Sequence, residues 1–243
     1  MHWNRLIPLC LLMVAMAGCD GGIGQSPKVE RVSKGKDGSL QGWTPAGHIP
    51  NEFHQKNTGG SDGLGLCVSA ATKAVMSTLG WGPEGDKLWA YVKQRPGGSY
   101  PEKWKQTAAA AIPEVPYVSV VSTDFEVQKR LSRAGLPWAG TMGRDPDVYG
   151  NQDVAHYVSW EHWDDRVAVY TDNNTPGVHT FLPPKEAEQR ALAGTNGQFW
   201  ITAIGRKAGA FVPSGDDSAI TATILICAAI ALMIPLGKEG ENV

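Results

Sequence analysis

The chain has 243 residues, 42% hydrophobic and 19% charged, with a formal net charge of −2. That balance suits one ordinary globular domain with appendages. It lacks the basic stripe that nucleic-acid binding requires, and its acids are scattered rather than gathered in a tail, so neither a nucleic-acid partner nor an acidic interaction tail is expected.

The N-terminal stretch MHWNRLIPLCLLMVAMAGCDGG has the layout of an export signal. Arg5 is the positive flank, Leu6 to Ala17 the apolar run, and Ala17-Gly18 the small residues at which processing occurs. Met16-Ala17-Gly18-Cys19 resembles the lipobox of bacterial lipoproteins, with Met16 where Leu is usual. The resemblance implies cleavage of a signal over 1–18, lipidation of Cys19, and, from Asp20, retention at the inner membrane; the alternative is an ordinary or retained signal with Cys19 incidental. Residues 19–47 are rich in Gly, Ser, Lys and Asp without hydrophobic periodicity and are expected to form a flexible tether ahead of a domain over 48–207.

Within that domain, NTGGSDGLGLCVSAATKAVMSTLGWGP predicts a glycine-rich turn leading into a helix from Cys67 to Leu79, with Val68, Ala71, Val75 and Leu79 on the core face. Helices are also expected over 84–94 and 101–111, the latter with Pro101 in its first turn. The pattern then changes: strand over 117–121, helix from Thr123 or Asp124 to Ala134 closed by Gly135, strand over 136–141. Val154–Trp160 and Arg166–Thr171 read as a β-hairpin around a Glu161–Asp165 turn, followed by a helix over 183–192 and a strand over 199–204. Helices first and mainly antiparallel strands later indicate an α+β domain. After a linker over 208–217, SAITATILICAAIALMIPLG is uncharged from Ser218 to Gly237. At ~1.5 Å per residue it would cover a hydrocarbon core of ~30 Å, so a transmembrane helix over 218–237 with a cytoplasmic tail over 238–243 is expected. Its charged flanks, Arg206 and Lys207 before and Lys238 after, do not set its direction.

Cysteine usage narrows the chemistry. Cys10 leaves with the signal, Cys19 is the lipidation site and Cys227 lies in the C-terminal apolar run, so Cys67 is the lone thiol of the exported domain and has no disulfide partner there. Its place at a helix start matters physically. Unpaired N–H groups and the positive helix end favour a thiolate and can also receive the oxyanion of a tetrahedral intermediate; a buried structural Cys would occupy the same place. Downstream, in DVAHYVSWEHWDDRVAVYTDNNTPG, His156 opens one strand and Asp172, Asn173 and Asn174 close the next. Hairpin pairing brings the two ends together, so a polar side chain can orient the imidazole while its other nitrogen faces the thiol.

In these features the chain resembles the papain-like cysteine peptidases: a helix-initiating Cys in GLGLCVSAA, a strand-initiating His in AHYVSW, and an Asp/Asn at the end of the next strand, over roughly residues 51–205. The resemblance implies a papain-like fold, with a helical N-terminal part carrying the nucleophile packed on a mainly antiparallel sheet. It makes Cys67 the nucleophile, His156 the general base and acid, and Asp172 the orienting residue, with Asn173 and Asn174 as rivals. The family places a Gln several residues before the nucleophile as oxyanion donor; here Gly60-Ser61-Asp62 stands there, and Asn57 and Gln55 further upstream are the candidates.

Other constellations are weaker. His54, His162 and His179 with nearby acids invite a zinc reading, but no HExxH or paired CxxC spacing occurs, so solvent-facing histidines and no metal are expected. The Glu161–Asp165 acids read as a solvated turn rather than a calcium site, and GGSDGLG is not a phosphate loop. Trp138, Trp160, Trp163 and Trp200 are expected in the sheet core, with a substrate groove as the alternative. The expected function is a membrane-anchored thiol hydrolase without cofactor, cleaving protein or peptide substrates at the outer face of the cytoplasmic membrane. The alternatives are a cell-wall endopeptidase or amidase, a transglutaminase-type acyl transferase, and an inactive tethered binding module on the same scaffold.

Overall fold

A computed structural model of the chain describes residues 25–209. The glycine-rich approach ends where α1 (Cys67–Thr78) begins, and the apolar spacing of Val68, Ala71 and Val75 turns one face of α1 into the core. Gly80, at φ +88°, reverses the chain, and the Trp81 N–H closes the helix end on the Met76 carbonyl at 2.8 Å. Two further helices follow, α2 (Gly82–Lys93) and α3 (Pro101–Ala111), each with proline in its first turn, where the missing N–H costs nothing. α2 packs on α1 and α3 packs on α2.

The remaining elements build the sheet. Numbered in chain order, the strands are β1 (Ser33–Gly35), β2 (Tyr117–Ser122), β3 (Trp138–Met142), β4 (His156–Trp163), β5 (Ala168–Thr171), β6 (His179–Leu182) and β7 (Phe199–Ile204). They form a seven-stranded antiparallel sheet in the order β1-β6-β5-β4-β3-β7-β2. Between strands lie α4 (Glu126–Arg133), the one-turn α5 (Pro146–Tyr149) and α6 (Pro184–Leu192). α1 lies against β3 and β4, and the main core closes around Trp104, Trp138, Trp160 and Trp163, all nearly inaccessible. Trp138 and Trp160 pair across β3 and β4, and Trp160 also meets Trp163 and Tyr170. With Trp200 also buried, these tryptophans serve packing rather than a groove.

The expected fold is therefore corrected. What stands, among the described residues, is an α+β domain of a seven-stranded antiparallel sheet and six helices. The added transmembrane helix has no counterpart among the described residues, where no helix is long and apolar enough to cross a membrane. The longest helices, α1 and α2, have 12 residues each, or about 18 Å at the ordinary helical rise, against a hydrocarbon core of about 30 Å. The 218–237 run lies outside the described residues, as do the 1–18 signal and Cys19.

Three local differences have physical causes. Residues 25–47, read as tether for want of periodicity, are docked onto the domain: Ser33–Gly35 adds an edge strand to β6, and Val29 and Trp43 bury against Val167, Val169 and Phe181 in a second apolar cluster. β6 escaped notice because His-Thr-Phe-Leu is too short to show alternation. The β4–β5 hairpin turns later than expected, which places Glu161 inside β4 with no solvent exposure rather than in a solvated loop.

The docking of the N-terminal segment is testable. Trp43→Ala should lower unfolding stability by about 3 kcal/mol, the order found for removing a buried aromatic, seen as a lower urea midpoint with unchanged slope. A free tether would leave the midpoint where it was.

Candidate active site

The site forms where three chain segments meet: the start of α1, the start of β4, and the chain leaving β5. Thr171 pairs with Ser159, so the residues after it, Asp172 to Asn174, run past the first residues of β4. Each polar side chain of that cluster finds a different partner. Asp172 Oδ1 accepts from His156 Nε2 at 2.9 Å and from the Asn174 backbone N–H at 2.7 Å. Asn173 Nδ2 donates to the Cys67 carbonyl at 3.1 Å and to the Tyr157 carbonyl at 2.7 Å, tying the helix start to β4. Asn174 Nδ2 donates to the Tyr149 hydroxyl. Of the three candidates for the orienting role, Asp172 is the one in contact with the imidazole.

Cys67 is partly exposed, and among the described residues it is the free cysteine. His156 and Asp172 are 8% and 2% exposed. Burial disfavours the charged imidazole, but the Asp172 carboxylate and the neighbouring Cys67 thiol outweigh it and push the His156 pKa up to about 9. Because Nε2 is engaged by Asp172, Nδ1 is the nitrogen left for the thiol. Leu66, the N-cap of α1, offers no side-chain cap, which leaves the first-turn N–H groups unspent on a capping side chain.

Asn57 and Gln55 separate clearly. Gln55 Oε1 accepts from Lys73 Nζ of α1 at 2.9 Å and its Nε2 donates to the Lys56 carbonyl, so its amide is held away from the nucleophile loop's bonds. Asn57 lies at the nucleophile loop. Its backbone N–H donates to the Asn173 carbonyl at 2.8 Å, and its Oδ1 accepts from the Leu66 N–H at 2.8 Å. Its Nδ2 is beside Gly65.

The glycine-rich loop is a small hairpin. Gly59 bridges Gly65, and Asp62 Oδ1 accepts from Leu64 N–H and from Gly97 N–H of the loop after α2. Gly97 is required there: a Cβ at this position would lie 1.8 Å from the Leu64 carbonyl oxygen. Beside the loop runs a shallow cleft lined by Gly65, Leu66, Ser69, Arg95 and Gly98, next to the exposed side chains of Leu64 and Tyr100.

Tyr149 is the functional neighbour that sequence reading missed. Its ring meets the His156 ring edge-on at 5.4 Å, and its hydroxyl lies 3.4 Å from Asp172 Oδ2. Burial and the Asp172 charge push its own pKa up, so it stays a neutral donor. α5 holds it there because Asp145, 1% exposed, caps that turn and is gripped by Arg190 Nη1 at 3.0 Å and the Tyr170 hydroxyl at 2.5 Å. The signal was the Asp145-Pro146 pair, a capping residue followed by a first-turn proline.

The histidines named in the sequence are not solvent-facing. His179 is fully buried on Glu161, His54 is wedged between the Ile49 carbonyl and the Gly177 N–H, and His162 sits against Trp43 and Asp164. No protein-family model matches the chain, and no curated protein matches it.

The imidazole's proton affinity sets a pH dependence with a definite sign. Its folded pKa of about 9 lies above the ordinary 6.5, so its contribution to stability is complete below pH 6.5 and is lost as pH rises through about 9. NMR titration of the His156 ring should give a midpoint near 9 in the wild type, and Asp172→Asn should move it downward. An unmoved midpoint would mean that the carboxylate does not hold the proton.

Proposed function

We propose that the chain is a papain-like thiol hydrolase that cleaves peptide or amide bonds, with Cys67 as nucleophile, His156 as general base and acid, and Asp172 as the residue that fixes the imidazole. The observation that carries this reading is the buried His156 Nε2–Asp172 Oδ1 contact of 2.9 Å, with the Cys67 thiol near enough to raise the ring's proton affinity. A structural cysteine needs no such partner. A nucleophile needs a base, and the base needs a third group to hold its tautomer.

In the proposed cycle the thiol proton rests on His156 and the Cys67 sulfur attacks the carbonyl carbon. The first-turn N–H groups of α1 and Asn57 Nδ2 donate to the developing oxyanion. As the C–N bond breaks, His156 gives its proton to the leaving amine and a thioester remains on Cys67. His156 then takes a proton from water, the resulting hydroxide displaces the sulfur, and the acid product leaves with the thiol restored. Asn57 stands in for the Gln usual in the family: it is further from the nucleophile in sequence, but its Oδ1 bond to Leu66 holds its amide at the loop. The export signal and Cys19 support action at a membrane surface outside the cytoplasm.

Thiol labelling by iodoacetamide at mildly acidic pH should be fast in the wild type and at least about tenfold slower in His156→Ala. Ordinary labelling, unchanged by His156→Ala, would leave a binding module on this scaffold as the better reading. Asn57→Ala should lower kcat for peptide hydrolysis by about 10²-fold with little change in KM, as expected for an oxyanion donor; unchanged kcat would remove Asn57 from that role.

A further inference from the structure

Glu161 sits where a strand rarely places an acid. Trp160 pairs with Tyr170 and His162 pairs with Val169, so Glu161 is the extra residue of a β-bulge in β4. Bulges re-aim side chains, and this one turns a carboxylate into a site with no solvent exposure. Two imidazoles converge on it from different segments: His179 Nδ1 lies 2.6 Å from Glu161 Oε1, and His48 Nδ1 lies 3.0 Å from Oε2. A buried carboxylate is costly unless it is paired or hydrogen-bonded, and here each oxygen faces an imidazole nitrogen.

The surroundings are organised as an outer layer for that centre. Asn51 Nδ2 donates to the Lys36 carbonyl at 2.5 Å, which fixes Asn51 Oδ1 toward His179 Nε2 at 3.0 Å. His179 Nε2 must therefore carry hydrogen, leaving Nδ1 for a second proton or a metal. The Ile49 N–H supports Glu161 Oε2 at 3.2 Å. Gly38, at φ +73°, covers the two rings so closely that a Cβ there would fall 2.2 Å from His48 Cε1. His54 is excluded as a ligand: its Nδ1 accepts from Gly177 and its Nε2 donates to Ile49, so both nitrogens are spent. The His48 side chain, 25% exposed, offers the way in.

We propose that His48, Glu161 and His179 form a binding site for a divalent transition metal of the zinc class, with a water in the remaining position. Their ligand atoms lie within 4.8 Å of one another. Two nitrogens and a carboxylate favour such an ion over calcium or magnesium, which prefer all-oxygen shells. The nitrogen–oxygen contacts, 2.6 and 3.0 Å, are of hydrogen-bond length. Bonds of ~2.0–2.2 Å in tetrahedral geometry would open them to roughly 3.3 Å, a shift of under ~1 Å, while the ion displaces the bridging protons to solvent. Neither His48 nor Glu161 belongs to any local ligand motif, which is why the sequence grouped His179 with His54 and His162 instead.

The test uses the full-length protein carrying Cys67→Ser, so that the thiol cannot serve as a ligand. Calorimetric titration with zinc chloride should give one ion per chain, with a heat that depends on the buffer because protons are released. His48→Gln and Glu161→Gln should each weaken binding by about 100-fold or more, and Asn51→Ala by about tenfold through the outer layer. Should Glu161→Gln fail to fold by circular dichroism, His48→Gln decides the matter, since it changes a partly exposed loop residue. No zinc uptake, or uptake indifferent to His48→Gln, would overturn the proposal and leave the trio as a proton-bridged clasp.

Discussion

The buried contact between His156 and Asp172 is the constraint on which the site depends. Removing an imidazole and a carboxylate from water is costly, and the cost is met only if their remaining valences are filled. Asp172 Oδ1 takes the imidazole and the Asn174 N–H, and Oδ2 faces the Tyr149 hydroxyl. The imidazole and the hydroxyl come from different parts of the chain. Satisfying one carboxylate therefore fixes the exit of β5, the position of α5 and the start of β4 together. Asn173 extends the constraint to the nucleophile helix through the Cys67 carbonyl. Misplacing any of these segments would leave a buried polar group unpaired.

The same logic governs two networks outside the reacting atoms. Asp145, Arg190 and Tyr170 clamp the segment that carries Tyr149 onto α6 and β5. Glu161, His48 and His179 clamp the N-terminal segment onto β4 and β6. The second acts beside an apolar cluster, Val29 and Trp43 on Val167, Val169 and Phe181, and adds directional contacts that hydrophobic burial lacks. Networks of this kind are weak sources of net stability.

The legible parts of the fold were those carried by local periodicity or punctuation. The apolar spacing in α1, the proline opening α3, and the strand composition of β2 and β7 each identify an element without knowledge of its neighbours. The illegible parts were short or polar. β1 and β6 have three and four residues, too few for alternation to register, and β1 exists because β6 offers it an edge. The order Cys67, His156, Asp172 was readable because a helix start and a hairpin are local events. Which of Asp172, Asn173 and Asn174 meets the ring was not, because one residue of register at a strand end changes the answer.

The sequence by itself determined that a lone thiol begins a helix, that a histidine opens a strand, and that helices precede an antiparallel sheet. These follow from local geometry: helix periodicity, turn residues and hairpin pairing act over a few residues. Only the tertiary structure decided that Asp172 rather than its neighbours holds His156, that Asn57 and not Gln55 lies at the nucleophile loop, and that Glu161 is buried between His48 and His179. Those outcomes depend on strand-end register, on one bulge and, for His48 and Glu161, on a contact across more than a hundred positions, and no local pattern encodes them.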